Sequence, residues 1–161
     1  MVDWIEFDTA RSIVEYGPGT GVVTDFILSR LRPGSVFFSI ERNPKLAAVL
    51  RRRHPGLNLV EDSAANINTI CRRHGVDGVD AVLSGLPWAS FPESLQVEIL
   101  DATFRAMKPR AQFVTFAYQL GMLTKAGRRF RKLISSRFSE VTPSDIVWRN
   151  LPPAFVYRCR K

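Results

Sequence analysis

The 161-residue sequence predicts an α/β fold: a doubly wound, mostly parallel sheet of seven strands with helices on both faces. Three observations lead to it. Short apolar runs alternate with segments of helical periodicity from Ile13 to Arg160, without repeat or linker. The first run passes into Glu15-Tyr16-Gly17-Pro18-Gly19-Thr20-Gly21, a glycine-rich turn that feeds a helix. The second, Val36-Phe37-Phe38-Ser39-Ile40, ends in an acid, Glu41. In such sheets ligands bind at the carboxyl ends of the strands, which gathers Gly17 to Gly21, Glu41, Asp62 and Ser84 in one place.

The first strand spans Ile13 to Tyr16. A helix follows Gly21, with Val22, Val23, Phe26, Ile27 and Leu31 at helical spacing, and stops at Pro33-Gly34. After the second strand, Asn43 caps a helix with Pro44 at its first position, running through Leu46, Ala47 and Leu50 to His54-Pro55. Leu57 to Val60 reads as the third strand, and a helix over Ile67, Ile70 and Cys71 ends at Gly75. Val79 to Leu83 is the fourth strand. Ser90-Phe91-Pro92-Glu93 reads as a capping box for a helix through Leu95, Ile99, Leu100 and Phe104. Lys108-Pro109-Arg110 turns into the fifth strand, Gln112 to Tyr118, and a basic helix then reaches about Arg137. Strands near Val141 to Trp148 and over Ala154 to Arg160 close the chain.

Composition fits one domain over residues 1–161, with 45% hydrophobic and 24% charged residues. The acidic start Met1-Val2-Asp3-Trp4-Ile5-Glu6 is unlike a secretion signal, and no window approaches the roughly 18 apolar residues of a spanning helix. Cys71 and Cys159 fit no metal spacing and are expected as reduced thiols, with no metal cofactor and a cytoplasmic location. His54 and His74 each end a basic helix and are expected as solvated residues rather than ligands.

The glycine spacing selects among nucleotide cofactors. A Walker loop needs Gly-Lys-Ser/Thr, but Gly21 is followed by Val22; a G-x-G-x-x-G fingerprint needs its third glycine one residue later. The observed E-x-G-x-G-x-G resembles motif I of the class I S-adenosylmethionine-dependent methyltransferases, whose sheet is Rossmann-like. That resemblance implies S-adenosyl-L-methionine as cofactor, with Glu15, Gly17, Gly19 and Gly21 holding its methionine portion. Glu41, 20 residues past Gly21, would hold the ribose diol through charge-assisted hydrogen bonds. Asp62 would accept from the adenine amino group and Ser63 would offer a backbone N–H, although Asp-Ser before a helix equally reads as a cap. Arg42, Ser84 and Leu86 complete the expected cofactor set.

The methyl acceptor depends on Ser84-Gly85-Leu86-Pro87-Trp88. Ribosomal RNA adenine dimethyltransferases resemble the chain here, but their pattern has Asn where this sequence has Gly85. The fuller match joins Glu15 to Thr24, Ile40-Glu41-Arg42-Asn43, Ser84 to Trp88 and Phe113 to Tyr118, and resembles the bacterial phospholipid N-methyltransferases. These convert phosphatidylethanolamine to phosphatidylcholine by successive methylations. The resemblance implies that the Trp88 and Tyr118 rings flank the amine, with Tyr118 as the catalytic residue and cation–π attraction favouring the methylated ammonium. The plainer alternative is that Trp88 packs the end of the sheet and Tyr118 only ends a strand. Family members also carry an N-terminal region with an amphipathic, membrane-attaching helix. This sequence starts about a dozen residues before the glycine turn, leaving Trp4, Ile5 and Phe7 as a stub of such a cover, and a cofactor binder inactive in this short form is a third alternative.

Charge bears on partners. The net charge is +8, with a pI near 10.2. Lys125, Arg128, Arg129, Arg131, Lys132 and Arg137 share one acid-free stretch, interleaved with Leu123, Phe130, Leu133, Ile134 and Phe138. Such a helix would place the protein peripherally on the anionic inner membrane face, apolar side inward. The same cations suit an RNA backbone, or merely a solvated face over the core, and charge leaves the three open.

Overall fold

The computed structural model describes residues 1–161. Seven strands form one sheet: β1 (Ser12–Tyr16), β2 (Val36–Ile40), β3 (Leu59–Val60), β4 (Val79–Ser84), β5 (Met107–Tyr118), β6 (Glu140–Pro143) and β7 (Ala154–Arg160), in the order β3-β2-β1-β4-β5-β7-β6. The five from β3 to β5 are parallel neighbours; β7 runs antiparallel to both β5 and β6, so the sheet is mixed. Five α-helices cover it: α1 (Val22–Leu28), α2 (Pro44–Arg53), α3 (Ile67–Arg73), α4 (Glu93–Ala106) and α5 (Lys125–Arg137). Strand order reverses between β1 and β4, and that is where a crevice opens at the carboxyl edge of such a sheet.

Alternating strand residues feed two cores, as a sheet buried on both faces requires. Val14, Tyr16, Phe38, Ile40, Val82 and Phe113 face α3, α4 and α5 in the larger one. Ile13, Phe37, Ala81, Leu83 and Val114 face Ile27 of α1 in the smaller one. That second core also takes Val2, Ile5 and Phe7, with Trp4 packed against it. The expected stub of a cofactor cover is therefore corrected: these residues need an apolar face, and the sheet's open side supplies it.

Other expectations are corrected in detail. The first helix ends at Leu28 rather than at Pro33-Gly34, and Val22 and Phe26 on it are exposed. Asn43 does cap α2, accepting from the Lys45 N–H at 3.0 Å with Pro44 at the first position. The capping box at Ser90 does not form: α4 starts after Pro92 with no side-chain cap, because Trp88–Ser90 is wound into its own 3-10 turn. The sixth strand stops at Pro143, and beyond it only Val147 bridges to Ala154. His74 is not simply solvated; its ring stacks on Phe38 at 5.0 Å. Cys71 and Cys159 are free and buried, and burial pushes their thiols up to about 11 and about 12, so both are protonated and unreactive.

The basic segment forms α5, but its apolar side is already used. Phe130 and Ile134, with Phe138 just beyond the helix, are buried in the larger core, and Leu133 packs against it. The expectation that this helix lays an apolar face on a bilayer is corrected; its outward side is polar, carrying cations and two serines. Even the cations are reduced, since Arg129 pairs with Glu93 and Arg137 with Asp101.

At the opposite end of the sheet, Asp80 locks β1 to β4. Its Oδ2 accepts from the N–H groups of Arg11 and Ser12 at 2.9 Å each, from Ser12 Oγ at 2.8 Å and from Lys108 Nζ at 3.1 Å. Partial burial opposes ionisation, but the hydrogen bonds from Lys108, Ser12 and the backbone outweigh it and hold the carboxyl below its usual range. Asp80→Ala should destabilise the fold by about 1–3 kcal/mol at pH 7 in urea titrations, from the stranded donors. A depressed folded pKa stabilises above the unfolded value and loses that contribution as pH falls through the folded one. The gap between wild type and variant should therefore narrow below about pH 4.

Candidate active site

The glycine turn is shaped by backbone geometry that other residues resist. Gly17, Gly19 and Gly21 have φ of +60°, +59° and +89°. Close packing adds to this at Gly21, where a Cβ would lie 2.6 Å from Leu50 Cδ1. Behind the turn, Glu15 is 1% exposed; its Oε2 accepts from Thr24 Oγ1 of α1 at 2.7 Å and from Ser39 Oγ of β2 at 2.9 Å. It thus ties the two elements flanking the turn. Its Oε1 is buried without a hydrogen-bond partner.

A cavity of about 760 Å³ opens beside the turn. Gly17, Glu41, Arg42, Asp62, Ser63 and Leu86 line it, so half of the twelve residues singled out from sequence converge there. Glu41 is buried; it accepts from the Asn43 N–H at 2.7 Å and from the Gly19 N–H at 3.3 Å, which aims its carboxylate along the cavity wall. Asp62 Oδ1 accepts from the Ser63 N–H and from Asn66 Nδ2, both at 2.7 Å, and those bonds hold its carboxyl below the usual range. Oδ2 has no protein donor, so the cap and ligand readings of Asp62 coexist. The Ser63 N–H expected for a ligand is spent on Asp62, a correction to its predicted role.

Glu15, Gly19, Gly21 and Ser84 do not reach the cavity wall. Ser84 is corrected from cofactor contact to loop anchor: fully buried, its Oγ accepts from Trp88 Nε1 at 3.1 Å and the Leu86 N–H at 3.4 Å. Sequence reasoning missed Asn43, Lys45, Phe91, Leu95 and Ile99 on the wall. The last three recur every four residues, a signal that reads equally as core packing.

A second, apolar chamber of about 100 Å³ adjoins the first, and Leu86 and Pro87 belong to both walls. Tyr118, Phe116, Met122 and Phe130 also line it, and Tyr118 carries its only ionisable side chain. Trp88 borders this chamber, but it is 3% exposed and stacks on Phe130 at 4.5 Å. Its Nε1 donates to Ser84 and to Thr115 Oγ1. The expected pair of open rings is corrected accordingly: Trp88 is a core residue at the chamber's back, and Tyr118, 41% exposed, stands at its rim. The buried Gln96 fastens this loop, its Nε2 donating to the Trp88 carbonyl at 2.7 Å and to that of Ala126 at 3.2 Å.

Gly85 decides how close the two chambers come. Its N–H donates to the Tyr16 carbonyl at 2.7 Å, and a Cβ there would sit 2.6 Å from the Gly17 carbonyl oxygen. No side chain fits at position 85 with this backbone.

Burial pushes the Glu15 carboxyl up to about 7, against the hydrogen bonds from Thr24 and Ser39 that favour its ionised form. A carboxyl whose folded pKa is raised stabilises the fold while protonated, and that contribution is lost as pH rises from about 4.5 through 7. Without ligand, the wild-type melting temperature should therefore fall across this window. Glu15→Gln should flatten the fall and exceed wild type at pH 8 by up to about 3 kcal/mol. Parallel pH profiles in differential scanning calorimetry would refute the assignment.

No family model matches the chain. It is 34% identical over 161 residues to the ornithine lipid N-methyltransferase of Singulisphaera acidiphila, covering 97% of this chain and 79% of that protein. It is 31% identical over 101 residues to ribosomal RNA small subunit methyltransferase A of Phocaeicola vulgatus, covering 62% of this chain and 32% of that one. Among solved structures, the Bacillus cereus O-methyltransferase in complex with S-adenosylhomocysteine matches with a TM-score of 0.76 at 15% identity, over 94% of this chain and 74% of that one. TomG of Streptomyces achromogenes, in complex with S-adenosylmethionine, matches with a TM-score of 0.72 at 22% identity over the same shares. The fold agrees with those two, and the sequence agrees with the lipid enzyme along nearly all of its length. The chain belongs to the class I S-adenosylmethionine-dependent methyltransferases, in the lipid N-methyltransferase family of its Singulisphaera relative.

Proposed function

We propose that the protein methylates the amine of a lipid head group, of the phosphatidylethanolamine type leading toward phosphatidylcholine or of a related amino lipid. The observation that carries this is the apolar chamber beside the cofactor cavity, with Leu86 and Pro87 as their common wall. An amine must be uncharged to attack, and a chamber without a carboxylate does not trap it as an ammonium. Gly85 supports the same reading, because adenine N-methylation in the RNA enzymes resembled here uses an Asn that this backbone has no room for. The Singulisphaera relative adds support: ornithine is a diamino acid, so the lipid in that enzyme's name offers an alkylamine.

The residues present fit S-adenosylmethionine. Glu41 would accept from the ribose hydroxyls, Asp62 Oδ2 from the adenine amino group, and Phe91, Leu95 and Ile99 would cover the purine. The unpartnered Glu15 Oε1 beneath the turn suits the ligand's cationic ammonium, whose field would draw the carboxyl to its ionised form. When bound, the cofactor supplies a methyl group on a sulfonium. Methyl transfer forms the N–C bond as the C–S bond breaks, so the protein's work is alignment and exclusion of water. Leu86, Pro87 and Phe116 do that, while the half-exposed Tyr118 orients the amine and leaves its proton an open route to solvent.

RNA methylation is the second reading, favoured by the match to ribosomal RNA methyltransferase A and by the outward cations of α5. Incubation with labelled S-adenosylmethionine separates them. Vesicles containing ethanolamine lipid should be labelled and ribosomal RNA should not; the reverse establishes the RNA reading. Tyr118→Ala should lower turnover on vesicles about tenfold or more while leaving cofactor affinity within about twofold. Glu41→Ala should do the opposite, weakening cofactor binding by about 1.5–3 kcal/mol in calorimetry. Unchanged affinity in that variant removes Glu41 from the site.

A further inference from the structure

Apart from Val22, Phe26 and Leu28 of α1 and Val36 of β2, the exposed large apolar side chains gather at one edge. Leu120 and Leu123 lie in the 3-10 turn that leaves β5 at Tyr118, exposed by 63% and 71%. Val147, Trp148 and Leu151 lie in the loop between β6 and β7, exposed by 55%, 68% and 95%. The backbone brings the two segments to one edge. The Gln119 N–H donates to the Pro153 carbonyl, and Ala154 is paired with Tyr118 on one side and Val147 on the other. This edge carries the rim of the apolar chamber, since Tyr118, Gly121 and Met122 line it. Monomeric proteins rarely leave such a group of side chains in water without a use.

Charge selects what covers it. From Tyr118 to Arg137 there is no acid, and Lys125, Arg128, Arg131 and Lys132 of α5 are exposed, without a carboxylate partner. Arg149 adds a cation beside Trp148. Leucines and an indole with cations beside them in the chain, and Asp145 as the one acid of the β6–β7 loop, match an anionic bilayer, where apolar groups enter the acyl boundary and cations meet the head groups. Exposed leucines gain nothing from an RNA backbone, which needs cations and stacking rings.

We infer that this rim is a bilayer-docking surface. Leu120, Leu123, Trp148 and Leu151 enter an anionic membrane face while Lys125, Arg128, Arg131 and Lys132 rest on its head groups. A lipid amine then reaches the chamber behind Tyr118 without its acyl chains leaving the membrane. The inference rests on the lipid reading of that chamber, and it gives the membrane contact an apolar part that α5 cannot supply.

Trp148 is the probe, because Trp4 is half-buried and Trp88 buried. With vesicles of phosphatidylcholine and phosphatidylglycerol, Trp emission should shift to the blue and be quenched by acyl-chain quenchers, and Trp148→Phe should abolish both effects. Leu123→Ser with Leu151→Ser, both at exposed positions, should weaken vesicle binding about tenfold or more at any salt concentration. Arg128→Gln with Arg131→Gln and Lys132→Gln should remove mainly the salt-sensitive part. Unchanged Trp148 emission on vesicles overturns the inference, as does a shift caused by an RNA oligonucleotide or by self-association without vesicles. Methyl transfer to a short-chain ethanolamine lipid below its micelle concentration keeps the two readings apart. If wild type and the leucine variant methylate that soluble lipid equally and only wild type is efficient on vesicles, both stand. If they are equal on vesicles too, docking at this rim fails and the lipid reading survives. If neither form of the lipid is methylated while Trp148 still enters vesicles, the chamber's assignment fails and the docking surface stands.

Discussion

The architecture of the site depends on one close approach: the backbone of Gly85 against the carbonyls of Tyr16 and Gly17, at the point where the strand order reverses. A hydrogen bond of 2.7 Å and the absence of a Cβ bring the ends of β1 and β4 into contact. One end carries the turn that faces the cofactor cavity, the other the loop that walls the apolar chamber. Leu86, directly after Gly85, can therefore belong to both cavities, as a direct methyl transfer between them requires. A residue with a side chain at position 85 would have to push the two loops apart. The constraint that brings donor and acceptor together also removes the amide that an adenine acceptor would use.

Around that contact the polar groups work mostly on each other. Glu15 joins α1 to β2; Ser84 and Thr115 hold the Trp88 indole; Gln96 holds the Trp88 and Ala126 carbonyls. Each is buried, so each hydrogen bond replaces a costly unpaired group and fixes a loop in one position. Glu41 and Asp62 differ in that their carboxylates border open space, with one Asp62 oxygen free of protein donors. A buried shell that is largely self-satisfied, around a few acids turned toward a cavity, is the arrangement a rigid site needs.

The sequence by itself determined the sheet, the turn and the acidic residue of the second strand, because these depend on local chemistry. Apolar runs with glycine punctuation specify buried strands, and E-x-G-x-G-x-G specifies a tight strand-to-helix turn whatever packs around it. Asn43-Pro44 set its helix cap in the same way. Residues whose role depends on distant partners were not legible. Trp88 has the composition of a substrate-facing ring, but Phe130, 42 positions later, takes its face. The basic helix has an amphipathic pattern suited to a membrane, yet the same pattern suits a core, and the core took it. Phe91, Leu95 and Ile99 follow a core spacing and do pack in the larger core, and the same side chains line the cavity. Trp148, expected at the end of a strand, and Leu151 stand in a loop, and only the pairing of Ala154 with both Tyr118 and Val147 brings them to the acceptor edge. Periodicity fixes which side of an element is apolar; what that side meets is decided by contacts between residues far apart in the chain, which exist only in the folded protein.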